Sequence, residues 1–132
     1  MSADHAYLDS SAFVKLSIPE AESAALREYL RGWAKSASSA LLRTESMRAL
    51  RPHGQEAVRA ARAHLEDVLL VDVDTAVLEL AGIIGPEVLR SLDAIHLATA
   101  QLLGSDLGVI VTYDRRLAAA AGELGLPVAS PA

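Results

Sequence analysis

Four acidic side chains stand at positions in this sequence where acids are seldom found. Asp9 directly follows the apolar pair 7–8, and Asp114 follows the apolar segment 109–113. Glu45 and Asp93 each have a leucine four residues before them, so both project from the apolar face of a predicted helix. A half-buried carboxylate is costly unless a cation neutralises it, and converging carboxylates raise one another's pKa. We therefore expect the four acids to share a bound cation.

The ligand chemistry narrows the choice of cation. Oxygen ligands suit a hard divalent ion, and the sequence contains no cysteine that could supply a thiolate. We therefore predict Mg²⁺ or Mn²⁺ as the cofactor. One or two such ions can lower the pKa of a bound water and hold a phosphodiester for in-line attack, so the protein needs no covalent nucleophile. The predicted metal ligands and catalytic groups are the same set, Asp9, Glu45, Asp93 and Asp114.

A purely structural role is the alternative for each acid taken singly. Asp9 and Asp114 could cap the helices that follow them, and Glu45 could pair with Arg43 or Arg48. Four such acids occur together, two at strand ends and two on apolar helix faces. That coincidence favours the shared site over four separate structural roles.

The elements that must position these acids are short apolar strands alternating with helices. Strands are predicted at 7–8, 68–71, 107–112 and 127–128. Helices are predicted at 10–16, 19–33, 40–50, 55–66, 87–103 and 115–124, with one more that Asp74 caps and Gly85-Pro86 ends. This alternation predicts an α/β fold with a parallel sheet covered on both faces. Sites in such sheets lie beyond the carboxyl ends of the strands, where Asp9 and Asp114 fall.

Length and composition set the class of protein. The 132 residues are 52% hydrophobic, which excludes a disordered chain and fits one domain spanning 1–132. The longest stretch without a formal charge, Ala94 to Ser105, is too short to span a bilayer, so no membrane partner is expected. The first residues lack the basic and apolar regions of a signal peptide, and a cytoplasmic location is expected.

Four segments of the sequence, taken in order, resemble the motifs of PIN-domain ribonucleases of the VapC toxin type. They are Tyr7-Leu8-Asp9-Ser10-Ser11-Ala12-Phe13-Val14-Lys15-Leu16 followed by Pro19-Glu20, then Thr44-Glu45, Leu92-Asp93-Ala94-Ile95-His96-Leu97-Ala98-Thr99-Ala100, and Thr112-Tyr113-Asp114-Arg115-Arg116-Leu117. The resemblance covers nearly the whole chain, and the metal-binding acids of the family match all four acids described above.

The resemblance implies more than the residues alone predict. It implies a three-layer α/β/α sandwich with a short central parallel sheet. It also implies a Mg²⁺- or Mn²⁺-dependent endoribonuclease that acts as the toxin of a type II toxin–antitoxin pair. A homodimer and inhibition by a cognate VapB-type antitoxin are implied as partners.

Four further residues are candidates for supporting roles. Thr112 could hydrogen-bond an acid such as Asp9 and orient it, although a threonine is also an ordinary strand residue. Ser10, or its neighbour Ser11, could do the same, with helix capping as the alternative. His96 lies three residues after the third acid, and a packed, hydrogen-bonded histidine is favoured over a general base because a metal-bound water would be the nucleophile.

Arginines supply candidate RNA contacts although the formal net charge is −5. The four acids account for most of that charge, and the segment 43–64 is rich in arginine. Guanidinium groups match phosphate geometry, whereas few aromatic residues are available for base stacking, so recognition by RNA shape and backbone is expected. A solvated surface is the alternative. The candidates are Arg43, Arg48, Arg51, Arg59, Arg62 and Arg115.

Other function classes lack their motifs. No glycine-rich phosphate loop and no G-x-S-x-G nucleophile elbow occurs. A phosphotransfer domain would need a lysine after a late strand, and the only lysines are Lys15 and Lys35. A non-catalytic PIN-like module that binds RNA or protein is the remaining alternative, and the four intact acids argue against it.

Overall fold

The computed structural model describes residues 3–132, and within them a five-stranded sheet forms the centre of the fold. The spatial order is β3-β2-β1-β4-β5, and every neighbouring pair is parallel. Because β1 and β4 are neighbours, the chain segments that follow them emerge side by side at one edge. The strands are β1 (His5–Leu8), β2 (Lys35–Ser39), β3 (Val68–Val71), β4 (Leu107–Val111) and β5 (Val128–Ala129).

Helices cover both faces of this sheet. The first apolar core lies between the sheet and α1–α4, and the second lies between the sheet and α6 and α7. The arrangement is the three-layer α/β/α sandwich that the sequence resemblance implied. The helices are α1 (Ser10–Ser17), α2 (Ser23–Arg31), α3 (Leu42–Leu50), α4 (Gln55–Leu65), α5 (Thr75–Ala81), α6 (Ser91–Leu102) and α7 (Arg115–Glu123), with short 3₁₀ turns at Arg51–His53 and Gly104–Asp106.

An extra residue interrupts the pairing of β1 with β4. His5 pairs with Leu107, but Ala6 pairs with Val109, so Gly108 stands unpaired as a bulge. A Cβ atom added at Gly108 would lie 2.1 Å from the Trp33 ring, which explains why glycine is needed there. After the bulge, Val109 faces the first core, whereas Leu107 before it faces the second.

Strand β2 was missed by the sequence prediction, which begins a helix at residue 40 without a strand before it. The segment Lys35–Ser39 carries one apolar residue, Ala37, and therefore lacks a strand signal. Ser38 and Ser39 are nevertheless buried, because Ser38 Oγ donates to the Leu8 carbonyl at 2.5 Å and Ser39 Oγ accepts from Leu41 N–H at 3.1 Å. Hydrogen bonds replace the apolar contacts on which the prediction depends.

Helices α2 and α6 each begin four residues later than predicted. Helix α2 begins at Ser23 rather than Pro19, because Ser23 Oγ accepts from Glu20 N–H and closes a turn before it. Helix α6 begins at Ser91 rather than 87, because Arg90 has an extended backbone.

The strand at 68–71 is present but lies at the sheet edge and is only partly buried. No helix in the described part of the chain is long and apolar enough to cross a membrane.

Candidate active site

The two strand-end acids lie next to each other because their strands are paired. Leu8 is in register with Val111, and the next residue of the chain after β1, Asp9, donates its backbone N–H to the Val111 carbonyl at 3.4 Å. Asp114 follows β4 after two further residues. Asp9 and Asp114 therefore lie beyond the carboxyl ends of parallel strands, as predicted, and the structure shows that these two strands are adjacent.

Asp9 is buried and held by three hydrogen bonds. Its Oδ1 accepts from the Ser11 hydroxyl at 2.6 Å and from Ala12 N–H at 3.0 Å, so the side chain caps helix α1. Its Oδ2 accepts from the Thr112 hydroxyl at 2.6 Å. Burial raises the pKa of Asp9, and these hydrogen bonds oppose part of that rise. Only 3% of the residue is exposed, yet Oδ2 retains a lone pair for a ligand.

The supporting serine contact is made by Ser11 rather than Ser10. Ser11 Oγ donates to Asp9 and accepts from Tyr113 N–H at 2.9 Å, so it joins the start of α1 to the loop after β4. Ser10 is the first residue of α1, and its half-buried side chain is not the one that turns back onto Asp9. The predicted contact of Thr112 with Asp9 is present as expected.

Asp114 is fixed by the helix that follows it. Its Oδ1 accepts from the backbone N–H groups of Arg116 at 2.9 Å and Leu117 at 3.1 Å, and so caps α7. Its own N–H donates to the Thr112 hydroxyl oxygen at 3.0 Å. Capping was the structural alternative for Asp9 and Asp114, and both acids do cap. The caps also hold the two carboxylates in fixed positions at the same edge of the sheet.

Asp93 shows that the four acids converge. It lies in the first turn of α6 and is half-buried. Burial raises its pKa, and the negative charges of Asp114, Asp9 and Glu45 raise it further, while His96 acts in the opposite direction. Helices α3 and α6 therefore bring Glu45 and Asp93 into the electrostatic neighbourhood of the two strand-end acids.

Glu45 is paired with a histidine and not with an arginine. His96 Nε2 lies 2.6 Å from Glu45 Oε1, and His96 Nδ1 lies 2.7 Å from the Tyr7 hydroxyl. Arg43 and Arg48, the partners considered from the sequence, are exposed and form no ion pair with Glu45 within residues 3–132. The expectation of a packed, hydrogen-bonded histidine at position 96 is confirmed. Its link to Glu45 could not be inferred from sequence spacing.

The donor set suits a hard divalent ion, although it is not arranged as a finished metal site. Carboxylate oxygens converge with raised pKa values at Asp9 and Asp93, and such a cluster is stabilised by a cation. Across residues 3–132, no group of three or more histidine or acidic side chains is arranged to hold an ion. Glu45 and Asp93 would be the groups that adjust, because helix caps hold Asp9 and Asp114 in place.

A cavity of about 290 Å³ adjoins the acids and is lined by arginine. Its walls contain Asp93 and Asp114 together with Arg90, Arg115 and Arg116. Arg115 was predicted from the sequence as an RNA contact, whereas Arg90 was not. The signal for Arg90 was its position three residues before Asp93 in the sequence.

The other predicted arginines line separate cavities on α3 and α4. One of about 330 Å³ contains Arg43 and Arg62, and one of about 440 Å³ contains Arg51, Arg59 and Arg62. Arg48 lines a further depression with Arg51. None of the four candidate catalytic acids lines any of these three cavities.

Comparison with known proteins agrees with this architecture. The PIN-domain family matches residues 6–123. Ribonuclease VapC46 of Mycobacterium tuberculosis is 55% identical over 125 residues, covering 95% of this chain and 96% of the relative. Ribonuclease VapC47 of the same species is 41% identical over 130 residues, with 95% and 96% covered.

Two solved structures share the fold. A toxin–antitoxin complex from Klebsiella pneumoniae aligns with a TM-score of 0.73 at 24% identity, covering 96% of this chain and 98% of that one. Mycobacterium tuberculosis VapC20, described as a toxin that cleaves the sarcin–ricin loop, aligns with a TM-score of 0.71 at 19% identity, covering 86% and 93%. The chain belongs to the PIN-domain family and, within that family, to the VapC-type ribonucleases.

Proposed function

We propose that this protein is a Mg²⁺- or Mn²⁺-dependent endoribonuclease and the toxin of a type II toxin–antitoxin pair. The observation that carries the proposal is the convergence of four acids beyond the carboxyl ends of β1 and β4, with the pKa of Asp93 raised by burial and by its acidic neighbours. The identity to curated VapC ribonucleases supports RNA as the substrate.

The proposed metal ligands are Asp9, Glu45, Asp93 and Asp114. The ion, when bound, would supply a water of lowered pKa and positive charge beside the scissile phosphodiester. Thr112 and Ser11 hold Asp9 by hydrogen bonds, and the N-terminus of α7 holds Asp114. Because these contacts are in place in the free protein, two of the four carboxylates need little reorganisation when the ion binds.

The proposed path of the RNA crosses the cavity beside Asp93 and Asp114. Arg90, Arg115 and Arg116 line that cavity, are exposed, and have no ion-pair partner in the described part of the chain. Free guanidinium groups next to the acids would hold the phosphates that flank the cleaved one. The arginines of α3 and α4 are a second candidate surface, and Arg59 there is paired with Glu56 at 2.7 Å.

The proposed protein partners are a VapB-type antitoxin and a second copy of the chain, both acting in the cytoplasm. They follow from the relationship to VapC proteins. Exposed apolar side chains between α5 and α6, Ile83 at 83% and Val88 at 81%, are suited to a protein interface. Light scattering of the purified chain, alone and co-expressed with the antitoxin encoded beside it, would test both partners.

Incubation with total cellular RNA tests the enzymatic proposal. Purified protein is incubated with RNA in Mg²⁺, in Mn²⁺ and in excess EDTA, and new ends are mapped by sequencing. Defined new ends that require the metal and disappear in Asp93→Asn protein are expected. RNA binding without cleavage under all metal conditions would instead indicate a non-catalytic PIN-like module.

A further inference from the structure

A buried hydrogen-bonded chain joins the sheet to the acidic cluster. Tyr7 on β1 contacts His96 on α6, with the hydroxyl 2.7 Å from Nδ1 and the two rings edge-on at 5.8 Å between centroids. His96 Nε2 then contacts Glu45 Oε1 on α3 at 2.6 Å. His96 is 2% exposed at its side chain and Glu45 is 17% exposed, so the chain runs from the second core to the edge of the site.

The direction of each hydrogen bond follows from the groups involved. A carboxylate can only accept a hydrogen bond, so with Glu45 as the acceptor His96 donates from Nε2. Burial raises the pKa of Tyr7, so its hydroxyl keeps its proton and donates a hydrogen bond to Nδ1. Tyr7 therefore fixes both the orientation of the imidazole and the nitrogen that carries the proton.

Glu45 has more need of such support than the two strand-end acids. Its side chain has one more rotatable bond than an aspartate, and fixing it costs more conformational entropy. Asp9 and Asp114 are held by helix caps, whereas Glu45 lies inside α3 and has no cap to hold it. The contact from His96 occupies Oε1, and no other residue within 3–132 forms a hydrogen bond with Oε2.

We propose that His96 is a positioning residue for Glu45, with Tyr7 as the residue that orients His96. By holding Oε1, His96 leaves Oε2 free to act as the metal ligand. This inference rests on the proposed function, since it assigns Glu45 a role in binding the ion. His96 is too buried to contact RNA, so its effect reaches the reaction only through Glu45.

Two substitutions of His96 separate positioning from packing. His96→Gln retains an amide N–H near the place of Nε2, whereas His96→Asn is too short to reach Glu45. Calorimetric titration with Mn²⁺ is expected to show affinity reduced about 10- to 100-fold in His96→Asn, because loss of a contact that orients a ligand has effects of that size. His96→Gln is expected to retain affinity within about threefold of the parent. Equal losses in both variants would overturn the proposal.

A double-substitution cycle tests whether His96 acts through Glu45. In a Glu45→Gln background, His96→Asn is expected to cause no further loss of Mn²⁺ affinity, because the two changes remove one shared contact. If His96→Asn reduced Mn²⁺ affinity equally in the parent and in the Glu45→Gln background, the proposal would be overturned.

Tyr7→Phe provides a variant that leaves His96 in place, and a smaller loss of Mn²⁺ affinity than in His96→Asn is expected. If Tyr7→Phe leaves the Mn²⁺ affinity unchanged, Tyr7 has no part in orienting His96.

A metal-free measurement keeps this test separate from the proposed function. Nitrogen-15 NMR of the histidine rings reports directly whether Nε2 of His96 carries a proton, and the His96→Gln spectrum assigns the signal. A proton on Nε2 in the parent protein is expected, and its absence would overturn the positioning role. If the parent protein neither binds Mn²⁺ nor cleaves RNA, the proposed function fails, whatever the NMR result.

Discussion

The Thr112 hydroxyl donates to Oδ2 of Asp9 at 2.6 Å, across the pairing of β4 with β1. The same hydroxyl oxygen accepts the backbone N–H of Asp114 at 3.0 Å. One side chain therefore links the two strand-end acids, and it is fully buried. Thr112 directly follows the last residue of β4, so this hydroxyl bonds to both acids at the point where the strand ends.

Thr112→Val should weaken both the fold and the metal site. The substitution keeps the shape of the side chain but leaves Asp9 Oδ2 and Asp114 N–H without this partner, at a cost of about 1–3 kcal/mol. The pKa of Asp9 should rise further because a hydrogen bond that lowers it is lost. Urea denaturation and Mn²⁺ titration measure the two effects. Thr112→Ser retains the hydroxyl as the matched control, and losses as large as those of Thr112→Val would show that the hydroxyl alone does not account for the effect.

Asp93→Asn should abolish RNA cleavage without unfolding the protein. The change keeps the side-chain shape and removes a charge that burial and three acidic neighbours disfavour. The free energy of unfolding should rise, by less than about 1 kcal/mol because Asp93 is only half-buried and solvent screens its neighbours. Cleavage assays and thermal denaturation measure both outcomes.

The matched control for Asp93→Asn is Asp67→Asn. Asp67 is exposed and directly precedes β3, at the amino end of the sheet and opposite the site. The Asp67→Asn protein should cleave RNA like the parent protein. Near-parental cleavage by Asp93→Asn would assign Asp93 a structural role only.

Bound metal should stabilise the fold by mass action. An ion that binds only the folded state adds about 2.7 kcal/mol at a hundredfold excess over its Kd. The melting temperature should therefore rise by several degrees with Mn²⁺ in the parent protein, and much less in Asp9→Asn. An equal rise in the two proteins would indicate nonspecific ion binding to the surface.

The metal-free protein should lose stability as the pH rises through the titration of Asp9 and Asp93. Both have raised pKa values in the folded state, so the folded chain retains protons that the unfolded chain has already released. The loss begins at the ordinary aspartate pKa and is complete above the raised values. Over the same window Mn²⁺ affinity should increase, because the ion competes with those protons. Titrations from about pH 4 to about pH 7 test this, and an affinity that is flat with pH would contradict it.

Two pairs of arginine substitutions locate the RNA. In Asp93→Asn protein, Arg115→Gln with Arg116→Gln should flatten the slope of log K against log salt by up to about 1.4, because each phosphate contact on single-stranded RNA contributes about 0.7. The backbone N–H that caps Asp114 is unchanged by these substitutions. Arg59→Gln with Arg62→Gln is the matched pair on α4, expected to have the smaller effect. If the pair on α4 flattened the slope more than Arg115→Gln with Arg116→Gln, the RNA would lie on α3 and α4.

Sequence patterns predicted the parts of the site that depend on local structure. Asp9 and Asp114 were predictable because each follows an apolar strand and begins a helix, and both patterns are local. The link from His96 to Glu45 was not predictable, because the two residues are 51 positions apart and meet only when α3 and α6 pack on the sheet. Strand β2 was missed because its serines are buried through hydrogen bonds, which leave no apolar pattern.

The site is sensitive to the length of the segment between the bulge at Gly108 and Thr112. Val109, Ile110 and Val111 pair one for one with Ala6, Tyr7 and Leu8, and strand residues alternate between the two faces of the sheet. Loss or gain of one residue there would put Thr112 one step out of phase with Asp9 at the end of β1, whereas loss of the unpaired Gly108 would leave this pairing unchanged. A deletion in the segment 82–90, between α5 and α6, would leave that phase intact. Homologous chains should therefore vary in length within the segment 82–90 and keep a constant length between residue 108 and Asp114.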